Sequence, residues 1–124
     1  MYKILVIDDE VRIVEIIAKC LSLRGFKVEK AYGGREALDK IEKNHSIDLI
    51  ILDKKMPGVD GVAVMRELKK TGCEIPVIVI TGSISKFQLT HIKGARFDHV
   101  LFKPLRLSKL LDTIDEILTP RKTK

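Results

Sequence analysis

No stretch of this 124-residue chain is apolar for long enough to cross a bilayer; the longest apolar runs, such as residues 75–80, are far too short. Nothing after Met1 has the form of a signal peptide, because Tyr2 and Lys3 lead straight into a strand-like apolar run, and no export is expected. Cysteine is scarce. Cys20 and Cys73 have no metal-ligand spacing and fit reduced thiols in the cytoplasm, one in a helix and one in a loop. Internal repeats and low-complexity tracts are missing too. Also lacking is any aromatic or glycine-rich nucleic-acid motif, so direct nucleic-acid binding by this domain alone is not expected.

What is present has the balance of an ordinary soluble globular protein, 45% hydrophobic and 32% charged. The length suits one domain with one core and is too short for two. The net charge of +6 is unevenly spread. Residues 1–76 carry 14 basic and 13 acidic side chains, whereas residues 77–124 carry 9 and 4. A basic second part can attract an acidic protein, nucleic acid or a membrane surface. A solvated surface with a basic tail explains it as well, since Arg121, Lys122 and Lys124 supply much of the excess.

Short apolar runs alternate with helical periodicity, the sign of a parallel sheet with crossover helices. The pattern predicts strands over 3–7, 26–31, 47–52, 76–80 and 99–102, and helices over 10–24, 33–44, 60–71, 84–93 and 105–118. In the last helix Leu107, Leu110, Leu111, Ile114, Ile117 and Leu118 make one apolar stripe. The first, third and fourth strands are uniformly apolar, as central strands covered on both faces should be. The second alternates from Phe26 to Glu29, which suits an edge. With right-handed crossovers these features predict a doubly wound α/β fold of strand order 2-1-3-4-5. Ligands bind such sheets outside the carboxyl ends, where the first and third strands lie side by side.

Those ends carry a coherent set of residues: Asp8, Asp9 and Glu10, then Asp53, then Thr81-Gly82-Ser83, then Lys103-Pro104. Each alone has a plain explanation. Asp8 or Asp9 would serve as a cap for the first helix, Asp53 as a strand end before a Met-Pro-Gly turn, Thr81 as a cap for the fourth helix, and Lys103 as a surface cation. Together they suggest chemistry. Crowded carboxylates need a neutralising cation, and oxygen ligation suits magnesium. A carboxylate beside that ion can act as a nucleophile toward phosphorus. Lys103 and Thr81 would then neutralise and hydrogen-bond the remaining phosphoryl oxygens.

At these residues the sequence resembles the receiver domains of bacterial two-component response regulators, chemotaxis-regulator-like, over essentially its whole length. The likeness rests on Ile4-Leu5-Val6-Ile7-Asp8-Asp9-Glu10, Gly25-Phe26-Lys27-Val28, Ala31-Tyr32-Gly33-Gly34-Arg35-Glu36-Ala37-Leu38, Asp53 with Met56-Pro57-Gly58-Val59-Asp60-Gly61, Pro76 to Gly82, and Lys103-Pro104. It implies a flavodoxin-like, three-layer (βα)5 receiver domain over 1–118, with 119–124 as a basic tail or the start of a linker. It further implies a signalling switch and not an enzyme: a phosphoacceptor that assists its own phosphorylation and dephosphorylation. Asp53 would accept phosphate from a histidine kinase or phosphotransfer protein. Asp9, Asp53 and the backbone carbonyl of Lys55 would bind Mg2+, with Asp8 acting through water, and Thr81 and Lys103 would hold the phosphoryl group. The Lys103-Pro104 bond is a candidate for the cis form. The surface of the fourth helix, fifth strand and fifth helix would face an output domain, a downstream protein or a second copy.

Three departures from the family pattern stand out. Val100 occupies the position of a usually aromatic switch residue, and its flanking His99 and Phe102 are expected on the other face of the strand. The segment from Gly94 to Lys103 is longer than usual. Lys54 replaces a usually apolar residue and has no explanation, while the neighbouring Lys55 either modulates the lifetime of phospho-Asp53 or is simply solvated. Two other functions compete with the switch. One is a pseudo-receiver, an interaction module of the same fold without phosphotransfer. The other is a haloacid-dehalogenase-like hydrolase, whose loop has a second Asp where Lys55 stands here.

Overall fold

The computed structural model describes residues 2–43, 46–53, 75–81 and 99–118. The expected third and fourth helices, the Met-Pro-Gly turn, Lys54, Lys55, Cys73, Gly82, Ser83 and the tail from residue 119 lie outside them. The described strands are β1 (Lys3–Ile7), β2 (Lys27–Ala31), β3 (Leu49–Asp53), β4 (Val77–Thr81) and β5 (His99–Phe102). They form one parallel sheet in the order β2-β1-β3-β4-β5, as the sequence predicts. Helices α1 (Val11–Leu23) and α2 (Gly34–Lys43) make the first two crossovers, and a C-terminal helix spans Leu107–Leu118.

The apolar strands supply two cores because alternate side chains leave opposite faces. Ile4, Val6, Leu49, Ile51, Ile78, Ile80 and Leu101 pack beneath Val14, Ile17 and Leu21 of α1 and Leu110, Leu111, Ile114 and Leu118 of the C-terminal helix. Leu5, Ile7, Ile50, Leu52, Val77 and Val79 form the other face, beneath Ala37, Leu38 and Ile41 of α2. Three layers follow directly from that division.

Local signals set the turns. At the end of α1 the Gly25 N–H donates to the Ser22 carbonyl and the Phe26 N–H to that of Leu21. That pairing is a Schellman motif, and it places Gly25 at φ 93°, a conformation costly for any residue with a Cβ. It keeps Phe26 out of β2 and packs it on the first core. Similarly, Ile47 is buried ahead of β3, and the Pro76 carbonyl accepts from Ile50 just before β4 begins. β3 and β4 run one residue further than predicted, so Asp53 and Thr81 close their strands instead of following them.

Two expectations need correction at the C-terminal end. Leu107 sits at the rim of the apolar stripe, while Thr113 is buried beside it and satisfies its hydroxyl on the Lys109 carbonyl, 2.9 Å away. Leu101 enters the first core, and its neighbour Phe102 turns to the opposite face, 57% exposed. Strand alternation puts positions 100 and 102 on one face, so Phe102 does not lie across from position 100 as expected.

Replacing fully buried Leu110 with Ala should destabilise the fold by about 2–5 kcal/mol, read as a lower urea midpoint. Leu23→Ala, at a position 78% exposed, should change stability by no more than about 0.5 kcal/mol.

Candidate functional site

β1 stops where its apolar run meets Asp8, and the loop from Asp8 to Glu10 enters α1. Both ends of this loop are fixed by hydrogen bonds. The Asp8 N–H donates to the Ala31 carbonyl of β2 at 3.1 Å, and Asp8 Oδ1 accepts the Glu10 N–H at 2.9 Å. Asp8 is therefore only 5% exposed yet part of a bonded frame, which offsets the cost of burying a carboxylate. Glu10 is the N-cap of α1 and its own side chain makes no capping bond, so neither Asp8 nor Asp9 is the helix cap. Asp9 is exposed.

The sheet register brings the other candidates alongside. Ile7 pairs with Leu52, so the next residues along the two strands are Asp8 and Asp53. Asp53 pairs with Ile80 on β4, and Thr81 pairs with Phe102, the residue before Lys103. Parallel strands lie about 4.8 Å apart, so Asp8 and Lys103 are separated by three such steps, roughly 14 Å across the sheet. Lys103 also lies two residues further along its strand than Leu101, which is level with Asp8. A lysine side chain covers less than half of the span across the sheet. Lys103 is exposed, and its bond to Pro104 is cis, as expected. Lys55 lies outside the described residues, as does the carbonyl assigned to it.

The donor chemistry of this edge fits a hard cation. At strand spacing two ionised carboxylates repel by roughly 3 kcal/mol with an effective dielectric of about 20. Oxygen ligands from two neighbouring strands suit magnesium, which retains several waters. Among the described residues no three acidic, histidine or cysteine side chains gather into one metal cluster.

A second polar group, not anticipated from the sequence, stands beside the Asp8 loop. Glu15 on α1 accepts the Tyr32 hydroxyl at 2.7 Å on one carboxylate oxygen and the Lys30 ammonium at 2.9 Å on the other. The Tyr32 N–H donates to Glu36 at 2.9 Å, fastening the turn into α2. The available signal was the period of two that sets Lys30 and Tyr32 on the face of Val28, toward α1. Opposite charges on a strand end and the helix above it were too far apart in sequence to pair without the fold.

The family model described as response regulator receiver domain matches residues 4–115. The response regulator MprA of Mycobacterium avium is 38% identical over 122 residues, which cover 98% of this chain and 52% of that protein. MprA of Mycolicibacterium vanbaalenii gives 38% over 116 residues, 94% of this chain and 50% of the relative. The chain thus spans about half the length of these curated relatives. Among solved structures, Vibrio cholerae chemotaxis protein CheY4 superposes with a TM-score of 0.87 at 30% identity, covering 95% and 99% of the two chains. Response regulator TrrA of Thermotoga maritima, solved with Mg2+ and BeF, gives 0.82 at 31%, covering 95% and 100%.

The Tyr32 hydroxyl, followed by the Lys30 ammonium, holds the Glu15 carboxyl below the ordinary glutamate value. A depressed carboxyl contributes stability that is present above the ordinary value and lost as pH falls through the folded one. Carboxyl NMR titration should therefore place the Glu15 midpoint below that of an exposed glutamate, and Tyr32→Phe should move it upward. A midpoint at or above the ordinary value contradicts the arrangement.

Proposed function

This chain belongs to the response regulator receiver domain family, and from that premise we propose that it is a phosphorylation-controlled switch of a two-component system, with Asp53 as phosphoacceptor. The observation that supports this reading most is the pairing of β1 with β3, which sets the Asp8–Asp9 loop beside Asp53. Thr81 and Lys103 belong to the next two strand ends.

In this reading a carboxylate oxygen of Asp53 attacks the phosphorus of a phosphohistidine on the partner kinase or phosphotransfer protein. The new O–P bond replaces the P–N bond, and the imidazole leaves with the electron pair and takes up a proton. Asp9, Asp53 and the Lys55 carbonyl would hold magnesium, with Asp8 acting through water; when bound, the ion supplies neutralisation of the phosphoryl oxygens. Lys103 places its ammonium on another of these oxygens, and Thr81 donates its hydroxyl to the same group. Water later hydrolyses the acyl phosphate and resets the switch.

A new doubly charged group at Asp53 would bias a two-state element reaching the surface of the fourth helix, β5 and the C-terminal helix. With Val100 in place of an aromatic residue, that response rests on Thr81. An output domain, a downstream protein or a second copy would read the surface. The receiver domain is assigned to residues 1–118, with 119–124 as a basic tail or the start of a linker, and a kinase partner puts it in the cytoplasm. Among the described residues no helix is long and apolar enough to cross a membrane.

Incubation with magnesium and acetyl phosphate should add one phosphoryl group by mass spectrometry, and none to Asp53→Asn. Equal labelling of the two proteins would sink the assignment, leaving a pseudo-receiver if both stay unmodified. Sustained turnover of a phosphate ester would point to a hydrolase. Lys55→Ala should alter the half-life of the phosphorylated form by at least about twofold if the side chain screens or positions water; an unchanged half-life leaves Lys55 only its carbonyl role.

A further inference from the structure

The bonds around the Asp8 loop close into a ring. Starting at Asp8, the N–H reaches the Ala31 carbonyl at the end of β2, and the next residue in the chain is Tyr32. The Tyr32 hydroxyl reaches Glu15 on α1, and α1 runs back to its N-cap, Glu10. The Glu10 N–H then returns to Asp8 Oδ1. At the start of the helix the Ile13 and Val14 N–H groups both donate to the Glu10 carbonyl, at 3.0 and 3.2 Å, so this end of α1 is firmly seated. Three elements, β1, β2 and α1, are thus tied round the one loop that carries Asp8 and Asp9.

We propose that Tyr32 is a positioning residue for this acidic pair, holding the Asp8–Glu10 loop in a cation-binding geometry through Glu15 and the Ala31 carbonyl. The proposal rests on the reading of these carboxylates as a magnesium site. Tyr32 touches neither cation nor phosphoryl group. Its contribution is to keep the end of β2 against α1, so that Ala31 presents its carbonyl to the Asp8 N–H at a fixed place.

Several details favour a positioning role over a simple surface contact. Glu15 uses both of its carboxylate oxygens, one on Tyr32 and one on Lys30, and this fixes the orientation of the acceptor. The Tyr32 ring packs on the first core, so the hydroxyl projects from an anchored body. The Tyr32 backbone is fastened independently by Glu36. Further along β2 the outward Lys30 carbonyl is taken by the Lys40 ammonium, which pairs also with Glu29 at 3.7 Å, so the edge strand stays in place when the phenol is changed. Removing the hydroxyl therefore opens the ring at one bond and leaves its supports standing.

The charge-neutral variant Tyr32→Phe tests this directly, with Tyr2→Phe as the control for loss of a phenol elsewhere. Titration with Mn2+, followed by the electron paramagnetic resonance of the free ion, should show affinity falling by about threefold or more in Tyr32→Phe. That is less than the roughly 10–100-fold cost of losing a group bonded directly to a metal ligand. Tyr2→Phe should match wild type. In metal-free protein, amide exchange at Asp8 and Glu10 should quicken at least about fivefold, while amides of β3 and the C-terminal helix keep their rates. Wild-type affinity together with wild-type exchange overturns the proposal, and so does a uniform acceleration across the whole sheet. If wild type itself binds no cation, the magnesium reading fails, and the metal-free exchange rates still decide whether Tyr32 holds the loop.

Discussion

Everything at this site depends on the parallel pairing of β1 with β3. The chain leaves β1, crosses one face through α1 to β2 at the edge, and returns across the other face through α2 to β3. Connections therefore diverge on either side of the β1–β3 pair, and a crevice opens at their carboxyl ends. The pairing is enforced by burial. Each central strand is apolar on both faces and meets a helical layer on each, so Ile4, Leu5, Ile50 and Leu52 are all fully enclosed. A register slip of one residue would exchange the side chains between the two cores and move Asp53 out of line with Asp8.

This constraint gathers groups that would not gather by themselves. Carboxylates on adjacent strands repel, and the fold tolerates them because backbone bonds hold the loop that bears two of them. The structure thus carries a local cost at its carboxyl edge, which a bound cation would relieve. Stability here comes from the two cores, whereas the proposed chemistry lies at the strand ends, so substitutions in one region need not disturb the other. The Glu15–Lys30–Tyr32 group couples the two regions, since it joins the edge strand to α1 next to the acidic loop.

Much of this architecture was legible in the sequence. Uniform apolar runs marked the covered strands, an alternating run marked the edge, and β1 and β5 were placed to the residue. The immediate succession of apolar run and polar residue marked the candidate site, because a parallel sheet aligns all its carboxyl ends. Other features were hidden for definite reasons. Phe26 was assigned to β2 on its apolar character, but a helix-ending turn claims it. The burial of Thr113 depends on an intrahelical bond, which no hydropathy pattern reveals. The Glu15–Tyr32 contact joins residues 17 apart, and only the stacking of α1 over the end of β2 brings them together. The burial of Leu101 turns Phe102 to the opposite, exposed face, which it shares with position 100 because side chains two apart on a strand point the same way.

The central claim is that Asp8, Asp9, Asp53, Thr81 and Lys103 act as one site. Amide shift mapping by NMR, first with magnesium and then with beryllofluoride, tests it most directly. The account predicts that magnesium shifts the residues after β1 and at the end of β3. Beryllofluoride should then extend the change to Thr81 and Lys103, leaving the outer face of α2 unmoved. Shifts confined to one strand end, or scattered over α2, would contradict it.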